Sequence, residues 1–305
     1  MGDPQLVPVA DFRGAIEGEV IAFSVGPAGE AIVLAAAHSV AGGYHLIGPG
    51  IPVEGAYDAT LVTFDDEDVV LRRLHAMTAT FPIVQPLPGG DVLVVGRPGV
   101  SGGGCNATVY RRDGGVAREF LLGDGIEDVQ TTRDGGIWVA YFDEGIFGWW
   151  PAGHAPPAAS GLARFDGRGS VEWEFEPPPG SGPITDCYAL NVGEDVVWAH
   201  YCSPDAFPLA RISEGDVATW KTPLSVAHAV AVTADCALFV DRGSRNGPAR
   251  CILCRFGHSS LVEERRFALT TPAGEPLAAR RIAARGSSVY VLDGTRLYRM
   301  DCTGI

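Results

Sequence analysis

The segment Glu127–Tyr141 reads EDVQTT-RDGG-IWVAY and has the pattern of two short β-strands joined by a tight turn. Both flanking runs contain Val, Ile, Trp or Tyr, which fit a pleated and half-buried surface. The turn Asp134-Gly135-Gly136 supplies residues that tolerate the positive φ angles of a hairpin. The segment therefore predicts a β-hairpin.

A second hairpin follows this one along the chain. Leu162–Phe165 and Ser170–Phe175 have strand composition, and the segment between them, Asp166-Gly167-Arg168-Gly169, has turn composition. The two hairpins together predict a four-stranded antiparallel meander. We name its strands a, b, c and d in chain order.

The same pair of hairpins recurs along the whole chain. The predicted units lie at about residues 19–75, 80–122, 126–176, 185–221, 227–268 and 278–302. The last unit lacks a fourth strand, which residues 5–10 can supply. Four-stranded repeats of this length are typical of β-propeller blades. We expect an all-β, six-bladed β-propeller formed by residues 1–305 as a single domain and closed by the N-terminal strand.

A β-sandwich is the alternative fold for a chain with many short strands. It gives no reason for an Asp-Gly hairpin to recur in step with an outer strand pair. The regular recurrence therefore favours the propeller.

Composition and charge restrict the partners of the chain. The 305 residues carry a formal net charge of −14, and 46% of them are hydrophobic, enough for a buried core. The acidic balance argues against nucleic acid and against an anionic membrane surface as partners. No apolar run is long enough to span a bilayer, and no secretion signal is recognised. We expect a cytoplasmic monomer, and the nearly exclusive use of Arg over Lys favours a bacterial source.

The seven cysteines give a weak signal for chemistry. Cys251 and Cys254 fall in one predicted c strand, where their side chains point to opposite faces. No second Cys pair accompanies them, so a structural role is favoured over a zinc site. The alternative is a nucleophile, Cys187 or Cys202, next to a histidine.

Long b–c connections distinguish one face of the predicted propeller from the other. Long loops on a rigid scaffold are where binding residues concentrate. Packing at the ends of the blades is the alternative role for their side chains. The candidate ligand contacts at this face are His38, Arg97, Asp143, Trp149, Trp150, Tyr201 and Arg242.

The starts of the a strands form a polar column beside the predicted central channel. Its ionisable members are Glu19, Glu127, Asp186 and His228. Carboxylates and imidazoles gathered in this way attract a cation, and Ca²⁺, Mg²⁺, Mn²⁺ or Zn²⁺ are the candidates. The alternative role for these side chains is to hold loops by hydrogen bonds. No nucleotide cofactor is indicated, because the glycine-rich segment 98–106 lacks the Gly-Lys-Ser/Thr of a phosphate loop.

A site without a metal ion is the alternative hypothesis for the same end of the central channel. His228 or His200 would act as the general base, and a carboxylate such as Asp186 would orient the imidazole. Both versions place the chemistry at the face that carries the long loops.

The segments DGGIWV (134–139) and FDGRG (165–169) resemble the repeats of six-bladed propellers of the gluconolactonase, strictosidine-synthase-like and NHL-repeat group. The resemblance covers the whole chain at the level of the repeat pattern. It implies a divalent cation held by a Glu of the first blade and by later Asn and Asp residues, with Glu19 and Asp186 at comparable places. The chain has Glu127-Asp128 where the group has an Asn-Gly pair.

Two functions from different classes follow from these features. The first is an enzyme of the hydrolase or lyase type that acts on a small polar or lactone-like metabolite at the channel mouth. The second is a non-catalytic module that binds a peptide or protein through the long b–c loops, with Trp149 and Trp150 as the main contact residues. The polar column favours the enzyme, and the loop aromatics favour the module.

Overall fold

The computed structural model describes residues 5–37, 55–65, 68–97, 104–148, 157–242, 248–277 and 281–304. Nearly all of the regular structure in these ranges is β-strand, as the sequence predicts. A search of the described helices finds none with the length and apolar character required to cross a bilayer.

The strands of the described ranges are numbered in chain order. They are β1 (Val7–Asp11), β2 (Glu19–Val25), β3 (Ala31–Ala36), β4 (Tyr57–Phe64), β5 (Val69–Met77), β6 (Pro82–Pro86), β7 (Val92–Gly96), β8 (Ala107–Tyr110), β9 (Val116–Phe120), β10 (Ile126–Thr131), β11 (Ile137–Tyr141), β12 (Leu162–Phe165), β13 (Val171–Glu174), β14 (Asp186–Val192), β15 (Val197–Cys202), β16 (Pro208–Ser213), β17 (Asp216–Lys221), β18 (Ala229–Val232), β19 (Cys236–Asp241), β20 (Arg250–Phe256), β21 (Leu261–Ala268), β22 (Arg281–Arg285), β23 (Ser288–Asp293) and β24 (Arg296–Asp301). The α-helix α1 spans Asp143–Phe147, and short 3-10 turns lie at Pro88–Gly90, Pro157–Ser160 and Cys302–Gly304.

These strands form six four-stranded antiparallel sheets, which are the blades of a six-bladed β-propeller fold. Blades 1 to 5 are β2–β5, β6–β9, β10–β13, β14–β17 and β18–β21, each a simple meander. Blade 6 has the strand order β1-β24-β23-β22. The predicted fold class and the number of blades are confirmed.

The N-terminal strand completes the last blade. β1 pairs with β24, with Val7 opposite Arg299 and Asp11 opposite Arg296. The preceding residue, Leu6, is 1% exposed and packs in the core of blades 5 and 6. Pairing with β1 gives the edge of β24 a partner, as the sequence predicts for the N-terminal segment.

The chain divides into two compact units. One unit contains residues 12–175, which form blades 1, 2 and 3. The other contains residues 1–11 and 176–305, which form blades 4, 5 and 6.

Apolar side chains fill the spaces between neighbouring blades within each unit. In the unit of blades 1 to 3, one cluster joins blades 1 and 2 around Leu34 and Leu61, and another joins blades 2 and 3 around Leu93 and Val139. In the other unit, Phe239 lies in the cluster of blades 4 and 5, whereas blades 5 and 6 share a separate cluster. Burial of alternate strand residues against the next blade is therefore the main source of stability.

Cysteine burial agrees with the alternation of a strand. Cys251 packs in the cluster of blades 5 and 6, and Cys254 packs in the cluster of blades 4 and 5. The two thiols of this Cys-x-x-Cys segment therefore point to opposite faces of β20, as the sequence predicts. Burial raises the pKa of the Cys254 thiol to about 12, which suppresses thiolate chemistry.

Each blade has two distinct ends. We call the end where the a strands begin and the b–c connections leave the loop end. We call the opposite end, which holds the a–b and c–d turns, the hairpin end. In blade 3, Glu127 lies near the loop end and the Asp134-Gly135-Gly136 turn lies at the hairpin end.

Helix α1 is packed tightly at the loop end of blade 3. An added Cβ at Gly145 would lie 2.2 Å from the Asp124 carbonyl oxygen and 3.0 Å from the Gly125 Cα. Both contacts are with backbone, which cannot rotate away as a side chain can. We expect Gly145→Ala to lower the free energy of unfolding by about 1–3 kcal/mol, the usual range for overpacking. Urea unfolding is the measurement, and Glu144→Ala in the same helix, at an exposed position, is the control that should stay within about 0.5 kcal/mol of the parent. An equal effect of both substitutions would contradict this account.

Candidate active site at the loop end of blades 4 and 5

The inner strand of blade 4 carries a β-bulge close to its first residue. Asp186 pairs with Cys202 and Cys187 pairs with Tyr201, but Ala189 pairs with His200, so Tyr188 is the extra residue. Bulges redirect side chains and are frequent beside functional sites. The backbone amide and the hydroxyl of Thr185 both donate to the Cys202 carbonyl, at 2.8 and 3.0 Å, and they hold the start of this strand in place.

Three polar side chains meet at this bulge. The Tyr188 hydroxyl lies close enough to the Asp186 carboxylate and the Cys202 thiol for both groups to act on its ionisation. All three residues are half-buried. Burial, together with the nearby Asp186 charge, raises the pKa of Tyr188 well above its usual value. The phenol therefore stays protonated and serves as a hydrogen-bond donor rather than as a base.

Aromatic packing fixes the ring of Tyr188. It stacks on Phe207, with ring centroids 6.4 Å apart and an interplanar angle of 23°, and it lies 6.1 Å from the His200 ring. Packing on two sides restricts the rotamer of Tyr188. The hydroxyl is thus held next to Asp186 without an energetic cost at the moment of ligand binding.

His228 lies directly before the inner strand of blade 5. Its Nδ1 is 3.3 Å from the backbone amide of Arg242, which donates to it, and 3.6 Å from Asp241 Oδ1. Burial and the Arg242 charge lower the pKa of His228, while Asp241 opposes them. The imidazole is therefore neutral at pH 7. Because Nδ1 accepts the Arg242 amide, the proton lies on Nε2, and this geometry favours a donor role for Nε2 over a general-base role.

The two groups lie at the loop ends of neighbouring blades. Tyr188 is near the start of β14, and His228 directly precedes β18. Further along these strands, the Asn191 side-chain amide of β14 donates to the Val230 carbonyl of β18 at 2.7 Å. A carboxylate, a phenol and a neutral imidazole thus line one end of neighbouring blades.

Two of the predicted site residues, His200 and Tyr201, are buried inside the unit. His200 is fully buried, with Nδ1 3.3 Å from the Pro208 carbonyl oxygen and its ring 5.2 Å from Phe239. Burial lowers the pKa of His200 to about 4. Tyr201 is also fully buried. Neither side chain reaches a ligand in solvent from this position, so neither enters the site that we propose.

In the unit of blades 1 to 3, Arg97 binds Glu127. Arg97 Nη1 is 3.3 Å from Glu127 Oε2 and also donates to the carbonyls of Ile126 and Glu127. The guanidinium therefore joins the end of blade 2 to the inner strand of blade 3. The guanidinium also places a positive charge next to Glu127, where a metal ion was predicted from the sequence.

The remaining predicted metal ligand of this unit, Glu19, opens β2 and is half-buried. Asp143 is exposed as the first residue of α1, where its carboxylate accepts the Glu144 amide at 2.8 Å. Across the described part of the chain, no three His, Cys, Asp or Glu side chains form a group that could hold a metal ion. The metal stays a prediction, and the reaction proposed for this protein does not depend on it.

Three predicted contact residues lie outside the described residues: His38, Trp149 and Trp150. The binding-module hypothesis depends on the two tryptophans and stays a prediction.

Neither Tyr188 nor a role for Cys202 beside Asp186 was predicted from the sequence. The sequence does contain a signal for the pair of Asp186 and Tyr188. The two residues are two positions apart on a strand, and that spacing places both side chains on one face. The pairing of Asp186 with Cys202 depends on the register of β14 against β15, which no local pattern specifies.

No protein-family model matches the chain, and no curated protein matches it. Solved structures match it over nearly its whole length. The PQQ-bound aldose sugar dehydrogenase of Streptomyces coelicolor has a TM-score of 0.52 at 11% identity, covering 99% of this chain and 98% of that one. The hydrazine synthase of Kuenenia stuttgartiensis has a TM-score of 0.54 at 10% identity, covering 93% and 84%.

A structure assigned provisionally to the gluconolactonases has a TM-score of 0.47 at 10% identity, covering 99% of this chain and 93% of that one. At these identities the similarity shows the fold alone.

Proposed function

We propose that the chain is a hydrolase of small polar esters, of the lactone class, and that it acts at the loop end of blades 4 and 5. The observation that carries the proposal is the β14 bulge, which brings Asp186 and Tyr188 together at the loop end of blade 4, while the neutral His228 lies at the loop end of blade 5. Paired donors and a carboxylate in a half-buried setting are the groups that ester hydrolysis requires.

Each group has a distinct part in the proposed reaction. The Asp186 carboxylate accepts a proton from a water molecule, whose oxygen attacks the ester carbonyl carbon. The Nε2–H of His228 donates to the oxygen of the tetrahedral intermediate. When the bond between the acyl carbon and the alkoxy oxygen breaks, Asp186 returns the proton to the departing alkoxide. The role of Tyr188 in this reaction is to orient Asp186, because its hydroxyl stays protonated and can donate to the carboxylate.

We expect Asp186→Asn to reduce kcat/KM at least 100-fold, because the amide cannot accept the proton from water. The measurement is hydrolysis of a panel of aldonolactones and simple alkyl esters, followed by acid release at constant pH. Tyr188→Phe keeps the ring packing and loses the hydroxyl, and we expect a reduction of about 10-fold from the less well oriented carboxylate.

The matched control is Asp216→Asn, which changes an exposed carboxylate of β17 in the same blade and should retain full activity. We expect the activity to survive dialysis against EDTA, since the proposed groups need no metal. The proposal fails if the parent protein hydrolyses no member of the panel, or if Asp186→Asn is as active as the parent.

A further inference from the structure

A polar groove lies between blades 2 and 3 at their hairpin end, on the opposite end of these blades from Glu127. Its volume is about 350 Å³, enough for a small metabolite. Three turns form its walls: the a–b turn of blade 2 and the a–b and c–d turns of blade 3. The side chains that line the groove include Leu87, Pro88, Asp91, Arg118, Arg164 and Glu172.

Two glycines in the wall of the groove occupy positions that have no room for a larger residue. Gly135 has φ of +92°, and an added Cβ would come within 3.2 Å of the Pro88 ring. At Gly136 a Cβ would lie 2.8 Å from Thr132 Oγ1 and 3.1 Å from the Arg164 guanidinium. The Asp134-Gly135-Gly136 turn that identifies the repeat in the sequence therefore also shapes this groove.

Most charges along the groove are already paired. Arg164 Nε is 3.1 Å from Glu172 Oε2, and its Nη2 is 3.5 Å from Asp134 Oδ2. Asp166 accepts the backbone amides of Arg168 and Ser170, both at 2.8 Å. These groups hold the turns in place, and they leave no unpaired positive charge among the described residues on the blade 3 wall of the groove.

Arg118 and Asp91, in contrast, form no ion pair with a described residue. Arg118 Nε donates to the Gly167 carbonyl at 2.7 Å, but no carboxylate of a described residue lies within ion-pair distance of its guanidinium. The Asp91 carboxylate attracts the more distant Arg72, yet within the described ranges no hydrogen bond or ion pair reaches it. Both side chains are half-buried, and they do not pair with each other.

An unpaired cation and an unpaired anion in one groove are complementary to a ligand that carries both charges. A ligand that carries both charges can form a charge-assisted hydrogen bond with each of these half-buried groups. Leu87 and Pro88 add an apolar surface between polar walls. A doubly charged small molecule with an apolar portion fits this arrangement better than an anion or a cation alone.

We propose that this groove binds a free α-amino acid, with its carboxylate on the Arg118 guanidinium and its ammonium group on Asp91. The site is separate from the proposed hydrolase site, which lies in the other unit. Its occupancy is therefore testable without reference to any catalytic activity.

The experiment is titration calorimetry of the full-length protein with each of the twenty proteinogenic amino acids. We expect saturable binding of at least one of them. Its N-acetyl derivative, which lacks the ammonium charge, and its methyl ester, which lacks the carboxylate, should each bind at least 10-fold more weakly.

Two variants assign the charges. Arg118→Gln should weaken binding 10- to 100-fold, and Asp91→Asn should do the same through the ammonium group. Arg168→Gln, at an exposed position in the neighbouring turn, is the matched control and should bind like the parent. If Arg118→Gln fails to fold, Asp91→Asn alone decides, because its carboxylate holds no part of a turn.

The proposal is overturned if no amino acid binds saturably, if the N-acetyl derivative or the methyl ester binds as tightly as the free amino acid, or if Asp91→Asn binds like the parent. Tight binding of a dicarboxylate or a diamine in place of the zwitterion would also overturn it.

Discussion

Replacing Asn191 by alanine is expected to lower the free energy of unfolding by about 3–6 kcal/mol, because it removes three buried hydrogen bonds at once. The Asn191 side-chain amide donates to the Val230 carbonyl at 2.7 Å and to the Gly286 carbonyl at 2.8 Å. Its carbonyl oxygen accepts the Gly286 amide at 2.8 Å. One side chain of blade 4 thus ties blades 5 and 6 together.

Alanine cannot make these bonds, and Asn191 is 1% exposed, so water does not readily replace them. Urea unfolding of the purified protein is the measurement. Asp195→Ala, at an exposed position of the hairpin that follows Asn191, is the control and should change stability by less than about 0.5 kcal/mol. A loss smaller than about 1 kcal/mol for Asn191→Ala would show that the three bonds are replaced or weak.

His200 is expected to make the protein less stable as the pH falls below about 6.5. In the unfolded chain its imidazole takes a proton near the ordinary pKa of 6.5, whereas burial lowers the folded-state pKa to about 4. Between these two values the unfolded state binds more protons, so acid favours unfolding. At pH 5 this group alone removes about 2 kcal/mol, and the full loss below pH 4 is about 3 kcal/mol.

The measurement compares the free energy of unfolding at pH 7.5 and pH 5.0 in the parent and in His200→Gln. Glutamine can still donate to the Pro208 carbonyl but does not titrate, so the loss between the two pH values should shrink by about 2 kcal/mol. His228, whose pKa is also lowered by burial, contributes a loss of the same sign in both proteins. The exposed His258→Gln is the control, and its pH dependence should equal that of the parent. Equal pH dependence in His200→Gln and the parent would refute a buried, neutral His200.

The fold was predictable because its signals are local and repeated. The turn at Asp134-Gly135-Gly136 and the alternation within β20 are both properties of a few neighbouring residues. Even the completion of blade 6 by the N-terminal strand followed from counting strands. Each prediction needed only hairpin chemistry and the period of a β-strand.

The candidate site was predictable only in part. The sequence indicated that Asp186 and His228 begin inner strands, and in the structure Asp186 opens β14 while His228 directly precedes β18. It did not indicate the bulge at Tyr188 beside Asp186, nor that Arg97 pairs with Glu127. These contacts depend on register and on the packing of one blade against the next, which residues near in sequence do not encode.

The sequence by itself determined the number of strands, their order and the residues that turn between them. The tertiary structure decided which polar side chains are buried and what they bind. Asn106 and Asn191 show the difference, because each looks like an ordinary polar residue and each satisfies three backbone groups inside its own unit. The physical reason is that strand and turn preferences act over a few residues, whereas the cost of burying a polar group is set by the partners that folding brings to it.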